Sequence, residues 1–221
     1  MAKMPKLLLL LALYFVQGLP FGFQASALPI YLRTHGVSLS AIGFAGALAL
    51  PWLLKALWAP LVDRYNSERF GRRKSWILPM QFFLALTCGL AALLDPNTQL
   101  APLLALVFCM NLFAATQDIA VDGLAVDLLN EDELGPGNAA QVVGYKLGML
   151  TGGGLLVWLS QHIGWQGLFL TMAILVSLVW IIVFLFKEPP SSAQKEETGS
   201  SFRAIFSALR ESLRIPNLGW V

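Results

Sequence analysis

Charge is scarce in this sequence: Asp, Glu, Lys and Arg make up 13% of its 221 residues, against about 25% in soluble globular domains. A soluble fold is therefore excluded as the starting assumption. The net charge is only +2, and the basic residues sit at the ends of apolar runs rather than in one patch, which excludes a nucleic-acid surface. Cysteine is nearly absent. Cys88 and Cys109 fall in separate apolar runs, where thiols pack as small hydrophobes and lack the companions a metal site or disulfide framework needs. No cofactor and no metal are expected.

What the chain has instead is apolar length. Hydrophobic residues reach 57% and mean hydropathy is +0.66, arranged in runs comparable to the ~20 residues that cross a bilayer as a helix. Six spans are expected, at 7–32, 40–62, 75–94, 100–129, 139–160 and 165–186. The fold class is thus an all-α, polytopic membrane protein. The first run resembles a secretory signal, but it continues to Leu32 and five further runs follow, so it reads as an uncleaved first helix.

Orientation follows from the cations. With the N-terminus in the cytoplasm, Lys3, Lys6, Arg64, Arg69, Arg72, Arg73, Lys74, Lys187, Lys195, Arg203, Arg210 and Arg214 lie inside, and only Arg33 occupies an outer loop. That asymmetry is the positive-inside pattern. The organisation expected is a six-helix bundle over 1–187 and a cytoplasmic linker over 188–215, with the start of a seventh span at 216–221. Within the linker, Phe202, Ile205, Phe206, Leu209 and Leu213 share one face of an amphipathic helix at 202–214 suited to the inner membrane surface. A soluble partner helix is the alternative. The molecule reads as one half of a longer protein.

The fourth span carries three acids, Asp118, Asp122 and Asp127. Asp127 lies near the cytoplasmic end and reads as interfacial. Asp118 and Asp122 are four residues apart on one face, with Asn111 seven residues before Asp118 on the same stripe. Lys55 and Lys146 are also enclosed by apolar sequence, each ~12 Å from the cytoplasmic edge, while Asp122 and Asp118 lie at ~10 and ~16 Å. An unpaired charge near the bilayer centre costs roughly 2.5–3.5 kcal/mol. The four groups are therefore expected to face one another or a polar cavity. Two readings stay open: ion pairs that brace helices, or a titrating transport pathway.

Gly18, Pro20 and Gly22 are expected to interrupt the first helix, where Gln17 and Gln24 could offer hydrogen bonds to a solute. A simple kink is the alternative. Gly144, Gly148 and Gly152 recur every fourth residue and predict close helix packing.

The loop after the second span carries Asp63-Arg64 and Gly71-Arg72-Arg73-Lys74, which resembles the G-x-x-x-D-R-x-G-R-R signature of the major facilitator superfamily. Ala59 stands in place of the first Gly, and six residues rather than one separate Arg64 from Gly71. The segments "FVQGLPFGFQ", "PWLLKALWAPLVD", "ATQDIAVDG" and "ELGPGNAAQVVGYKLG" are similar to the peptide/acetyl-CoA/drug transporter branch, which includes muropeptide permeases and acetyl-CoA transporters.

The resemblance implies twelve helices in two halves with the solute between them, this chain being the N-terminal half. It implies a cytoplasmic gate at Asp63, Arg64, Gly71, Arg72 and Arg73. It also implies proton-coupled movement of a small organic solute by alternating access, in a bacterial inner membrane if the bacterial members are the guide. Asp118, Asp122, Lys55, Lys146, Gln17, Gln24 and Asn111 are the expected pathway residues. A six-helix scaffold or pore is the competing class. A membrane-embedded enzyme is the other, although "DGLA" at Asp122 lacks the Arg and later acids of the phosphotransferase motif it resembles.

Overall fold

The computed structural model describes residues 3–65, 67 and 71–189. The linker from residue 190 onward, with the amphipathic helix expected at 202–214, and residues 216–221 lie outside the described residues. Six helical rods occur among them: α1 (3–34), α2 (39–64), α3 (Lys74–Ala91), α4 (Leu100–Leu128), α5 (134–163) and α6 (165–185). By length and composition, Met4–Thr34, Leu100–Leu128 and the run Glu131–Leu185 could each cross a membrane. That last run is bent by Gly164, whose φ of 71° and ψ of 176° leave the helical region, a conformation glycine adopts without a Cβ clash. One residue thus separates α5 from α6, where the sequence suggested a loop of several.

Contacts assign the two ends of the bundle. At one end Lys6 pairs with Glu133 at 2.9 Å, and Lys74 Nζ donates to the carbonyls of Phe184 and Phe186. At the other, Tyr31 OH donates to Asn97 at 3.1 Å and its ring lies 4.4 Å from that of Trp165. Successive rods therefore alternate in direction. α1 packs along α5, and α3 packs between α4 and α6. Leu13, Phe23, Leu84, Met110, Phe169 and Met172 lie in the fully enclosed interior.

The α1–α5 seam is made of backbone. A Cβ on Gly144 would meet the Leu11 carbonyl, one on Gly148 the Phe15 carbonyl and Gly18, and one on Gly152 the Leu19 carbonyl. Seen from α1, Gly18 and Gly22 press on the main chain of Tyr145 and Met149. Lipid supplies little hydrophobic drive between helices, so close van der Waals approach over small residues holds them. Gly18 and Gly22 consequently do not interrupt α1. Helix runs through Pro20 to Gly22, and the irregularity comes one turn later as a π-helical segment, Phe23–Ala27. Proline removes an N–H from the hydrogen-bond ladder, and a local change of winding accommodates such a defect.

α2 departs further from a regular span. It narrows to 3₁₀ geometry at Gly46–Ala49 and again at Lys55–Leu57, with Pro51 and Pro60 each at the start of the helical piece that follows. Short mid-helix 3₁₀ segments of this kind re-aim the side chains they carry, and Lys55 is one of them.

Candidate functional site

Asp118 is buried on α4, 6% exposed, and its Oδ2 forms an ion pair with Lys55 Nζ from the 3₁₀ turn of α2. One turn along, Asp122 faces elsewhere. Its Oδ1 accepts a 2.7 Å hydrogen bond from Tyr14 OH on α1 and a 3.4 Å contact from Gln141 Nε2 on α5. Asn111 completes the α4 stripe: its Oδ1 accepts from Trp52 Nε1 at 2.9 Å, and its Nδ2 donates to the Val107 carbonyl. Lys55 Nζ lies 5.8 Å from the centre of the Trp52 ring, within cation–π range.

Of these groups Tyr14, Trp52, Asp118, Asp122 and Gln141 border two adjoining cavities, whereas Lys55 and Asn111 line neither. One, of about 330 Å³, is lined by Tyr14, Trp52, Asp118, Asn138, Gln141, Val142, Tyr145 and Lys146. The second, of about 370 Å³, reaches from Tyr14 and Asp122 to Leu129 and Leu134. Tyr14, Asn138 and Gln141 border both, so they form one groove among α1, α2, α4 and α5, of a size that suits a small organic molecule.

The four intramembrane charges predicted to converge do so in part. Lys55 reaches Asp118 directly. Lys146 is exposed on the cavity wall and, among the described residues, makes no ion pair or hydrogen bond. Gln17 does not line either cavity. It is fully buried with both amide atoms unpartnered among the described residues, as is Gln117, and the Gln24 Oε1 is likewise unpartnered. Tyr14, Trp52, Asn138, Gln141 and Tyr145 were not anticipated as site residues. A signal for Tyr14 existed, because it precedes Gln17 by three residues and Phe21 by seven, on one helix face.

A second charged cluster sits at the end of the bundle that carries Lys6. Arg73 Nη1 donates to Asp63 at 2.6 Å and its Nε to Asp127 at 2.9 Å. Burial alone would lower the Arg73 pKa, but hydrogen bonds to Asp127 and Asp63 reverse this and raise it above its ordinary value. The guanidinium fits against Gly123, where a Cβ would collide with it. Asp127, at the end of α4, is an ion-pair partner in this cluster.

Glu188 accepts from the backbone N–H groups of Arg73 and Lys74, both at 3.0 Å. Gly71, at φ 96°, leaves the room its carboxylate needs. Of the other expected gate residues, Arg64 is exposed over the Tyr65 ring, and Arg72 contributes its carbonyl to Ser75.

The family model of the Major Facilitator Superfamily matches residues 10–221. The chain belongs to the Major Facilitator Superfamily. Among curated relatives it is similar to the anhydromuropeptide permease of Escherichia coli K12, 35% identical over 210 residues, which cover 95% of this chain and 42% of that protein. It is also similar to a protein of Haemophilus influenzae, 36% identical over 182 residues, covering 82% of this chain and 43% of the relative. The chain therefore spans less than half the length of these relatives. Membership in a family of transporters, with a permease among its relatives, points away from the membrane-embedded enzyme. It also gives the Asp63–Arg73 pair a setting: the signature that resembled this superfamily's is the segment that forms the charged cluster.

Proposed function

We propose that the chain forms the N-terminal half of a secondary transporter that moves a small organic solute by alternating access, coupled to protons. The observation that carries this reading is the pairing of Lys55 with Asp118 on the wall of a cavity large enough for such a solute. A carboxylate beside a lysine holds or releases a proton according to how closely the two are pressed together and how dry they are. Asp122, held by Tyr14 and Gln141, is the second carboxylate on the path.

A motion that separates α2 from α4 would part Lys55 from Asp118 and favour protonation of the acid. Alternation between two arrangements of the bundle would then be linked to proton binding. The similarity to the E. coli permease supports a muropeptide-like solute. A second half would pack over the groove bordered by α1, α2, α4 and α5. The cation distribution supports an N-terminus in the cytoplasm, with the Arg73 cluster on that side, and the bacterial relatives support a bacterial inner membrane.

Uptake by the full-length protein in proteoliposomes tests the reading, with an anhydromuropeptide as probe. Uptake should rise when a proton gradient is imposed. In Asp118→Asn the dependence on the gradient should vanish, whether or not facilitated exchange survives. Gradient-driven uptake that persists in both Asp118→Asn and Asp122→Asn would sink the coupling.

A further inference from the structure

Lys55 and Lys146, equivalent by sequence depth, have different surroundings. Lys55 is committed to Asp118 and lies close to Trp52. Lys146 stands on the wall of the cavity that Asp118 lines, and the side chains beside it there, Asn138, Gln141, Val142 and Tyr145, carry no charge at neutral pH. Asp118, the one acid on that wall among the described residues, is already taken by Lys55. Asp122 opens onto the adjoining cavity and is engaged by Tyr14 and Gln141. The first cavity thus keeps one positive charge without a counter-ion among the described residues. A lysine inside a membrane span is retained where a partner or function offsets its desolvation.

The other feature of this cavity is aromatic. Phe21 of α1, Trp52 of α2 and Tyr145 of α5 form a triangle in which every pair of ring centroids is 6.0 Å apart. Trp52 is fixed further by its bond to Asn111. Two of the three rings line the cavity beside Lys146. Rigid aromatic surface next to a free cation and two primary amides suits a ligand with an apolar face and a carboxylate. Among the described residues no arginine lines either cavity, so they offer no bidentate fork of the kind that favours phosphate.

We infer that Lys146 is the contact for a carboxylate of the transported solute, with the Trp52 and Tyr145 rings packing against the solute's apolar face, so that this cavity selects organic carboxylate anions. The inference rests on the transport reading above and assigns the two lysines separate tasks. Lys55 governs the Asp118 carboxylate, and Lys146 reads the charge of the solute.

The test compares uptake of an anhydromuropeptide with that of the same compound after its carboxylates are converted to carboxamides, using the full-length protein in proteoliposomes. Wild type should prefer the acid by about tenfold or more, the size expected for a hydrogen bond to a charged group. Lys146→Gln should abolish that preference while still moving the amide, and Lys146→Arg should keep it. Lys55→Gln should instead alter the pH dependence of uptake and leave the acid-over-amide ratio in place.

Equal loss of both compounds in Lys146→Gln overturns the inference, because an acid elsewhere in the protein would then be the partner of Lys146. Wild-type uptake without a preference also overturns it. If Lys146→Gln fails to reach the membrane, loss of the preference in Lys146→Arg is the overturning result and its retention the supporting one. Absence of any uptake by wild type would instead count against the transport reading itself.

Discussion

Gly123 leaves the space that the Arg73 guanidinium fills. A methyl group there would overlap Arg73 Cζ and Nη1, the groups that carry Arg73 between Asp63 and Asp127. Gly123→Ala should therefore break both ion pairs at once. Losing a partner from a buried pair costs several kcal/mol, but Asp63 is half-exposed, so about 2 kcal/mol is expected after solvent screening. The thermal midpoint in detergent should fall by about 4–8 °C. An unchanged midpoint would mean that Arg73 has an equally good alternative position.

The α1–α5 seam predicts a contrast between neighbouring glycines. Gly148→Ala places a methyl group against the Phe15 carbonyl and Gly18, both main chain, so the helices themselves must part. Overpacking of this kind costs about 1–3 kcal/mol. Gly154 meets nothing within 4 Å, and Gly154→Ala should stay within about 0.5 kcal/mol of wild type. Thermal unfolding of the two variants side by side checks the seam, and equal effects would contradict it.

Tyr14 and Asp122 should be thermodynamically coupled. Tyr14→Phe removes the donor at 2.7 Å and leaves the carboxylate, among the described residues, with only the longer Gln141 contact, at a cost of about 1.5–3 kcal/mol. In the Tyr14→Phe, Asp122→Asn double variant the losses should fall short of additive by about 1 kcal/mol or more. Strict additivity in unfolding measurements would show that the bond contributes nothing.

Glu188 caps the start of α3 from outside its own helix. Glu188→Ala deprives the Arg73 and Lys74 amides of their acceptors, and loss of a cap costs about 1 kcal/mol. Hydrogen exchange at those two amides should accelerate severalfold, with little change in the middle of α3. Uniform acceleration along the helix would point to general destabilisation instead.

The turn after α3 should respond to acid. The backbone N–H of Asn97 donates to the Asp95 carboxylate and holds its pKa below the ordinary 3.8. A depressed folded-state value means that the turn's stabilisation is fully present above the ordinary carboxylate pKa and is lost as pH falls through the lowered one. Exchange of the Asn97 amide should rise on acidification through that window, after correction for the intrinsic rate, and Asp95→Asn should remove the transition.

Much of this was legible in the sequence because membrane burial makes exceptions conspicuous. Asp118, Asp122, Lys55 and Lys146 stand out from apolar surroundings, and helical spacing placed the two acids on one stripe. Spacing could not say that Asp118 turns to α2 while Asp122 turns to α1 and α5, because that depends on which helix packs where. Lys55 reaches its acid from a 3₁₀ turn that no periodicity announces. Tyr14, Trp52 and Tyr145 were hidden for the opposite reason: aromatic residues are ordinary in a membrane helix, and only tertiary packing distinguishes a cavity wall from a lipid contact. Beside Pro20 in the sequence, Gly18 and Gly22 suggest a helix interruption, whereas their role is set by α5, more than a hundred residues away.

The seam between α1 and α5 has a mechanical consequence. Interlocked side chains act like gear teeth, because sliding one helix past another forces every tooth out of its slot. Gly144, Gly148 and Gly152 meet the carbonyls of Leu11, Phe15 and Leu19 and present no such teeth. Separation of the two helices sacrifices all of these backbone contacts at once, so the pair is stiff against being pulled apart.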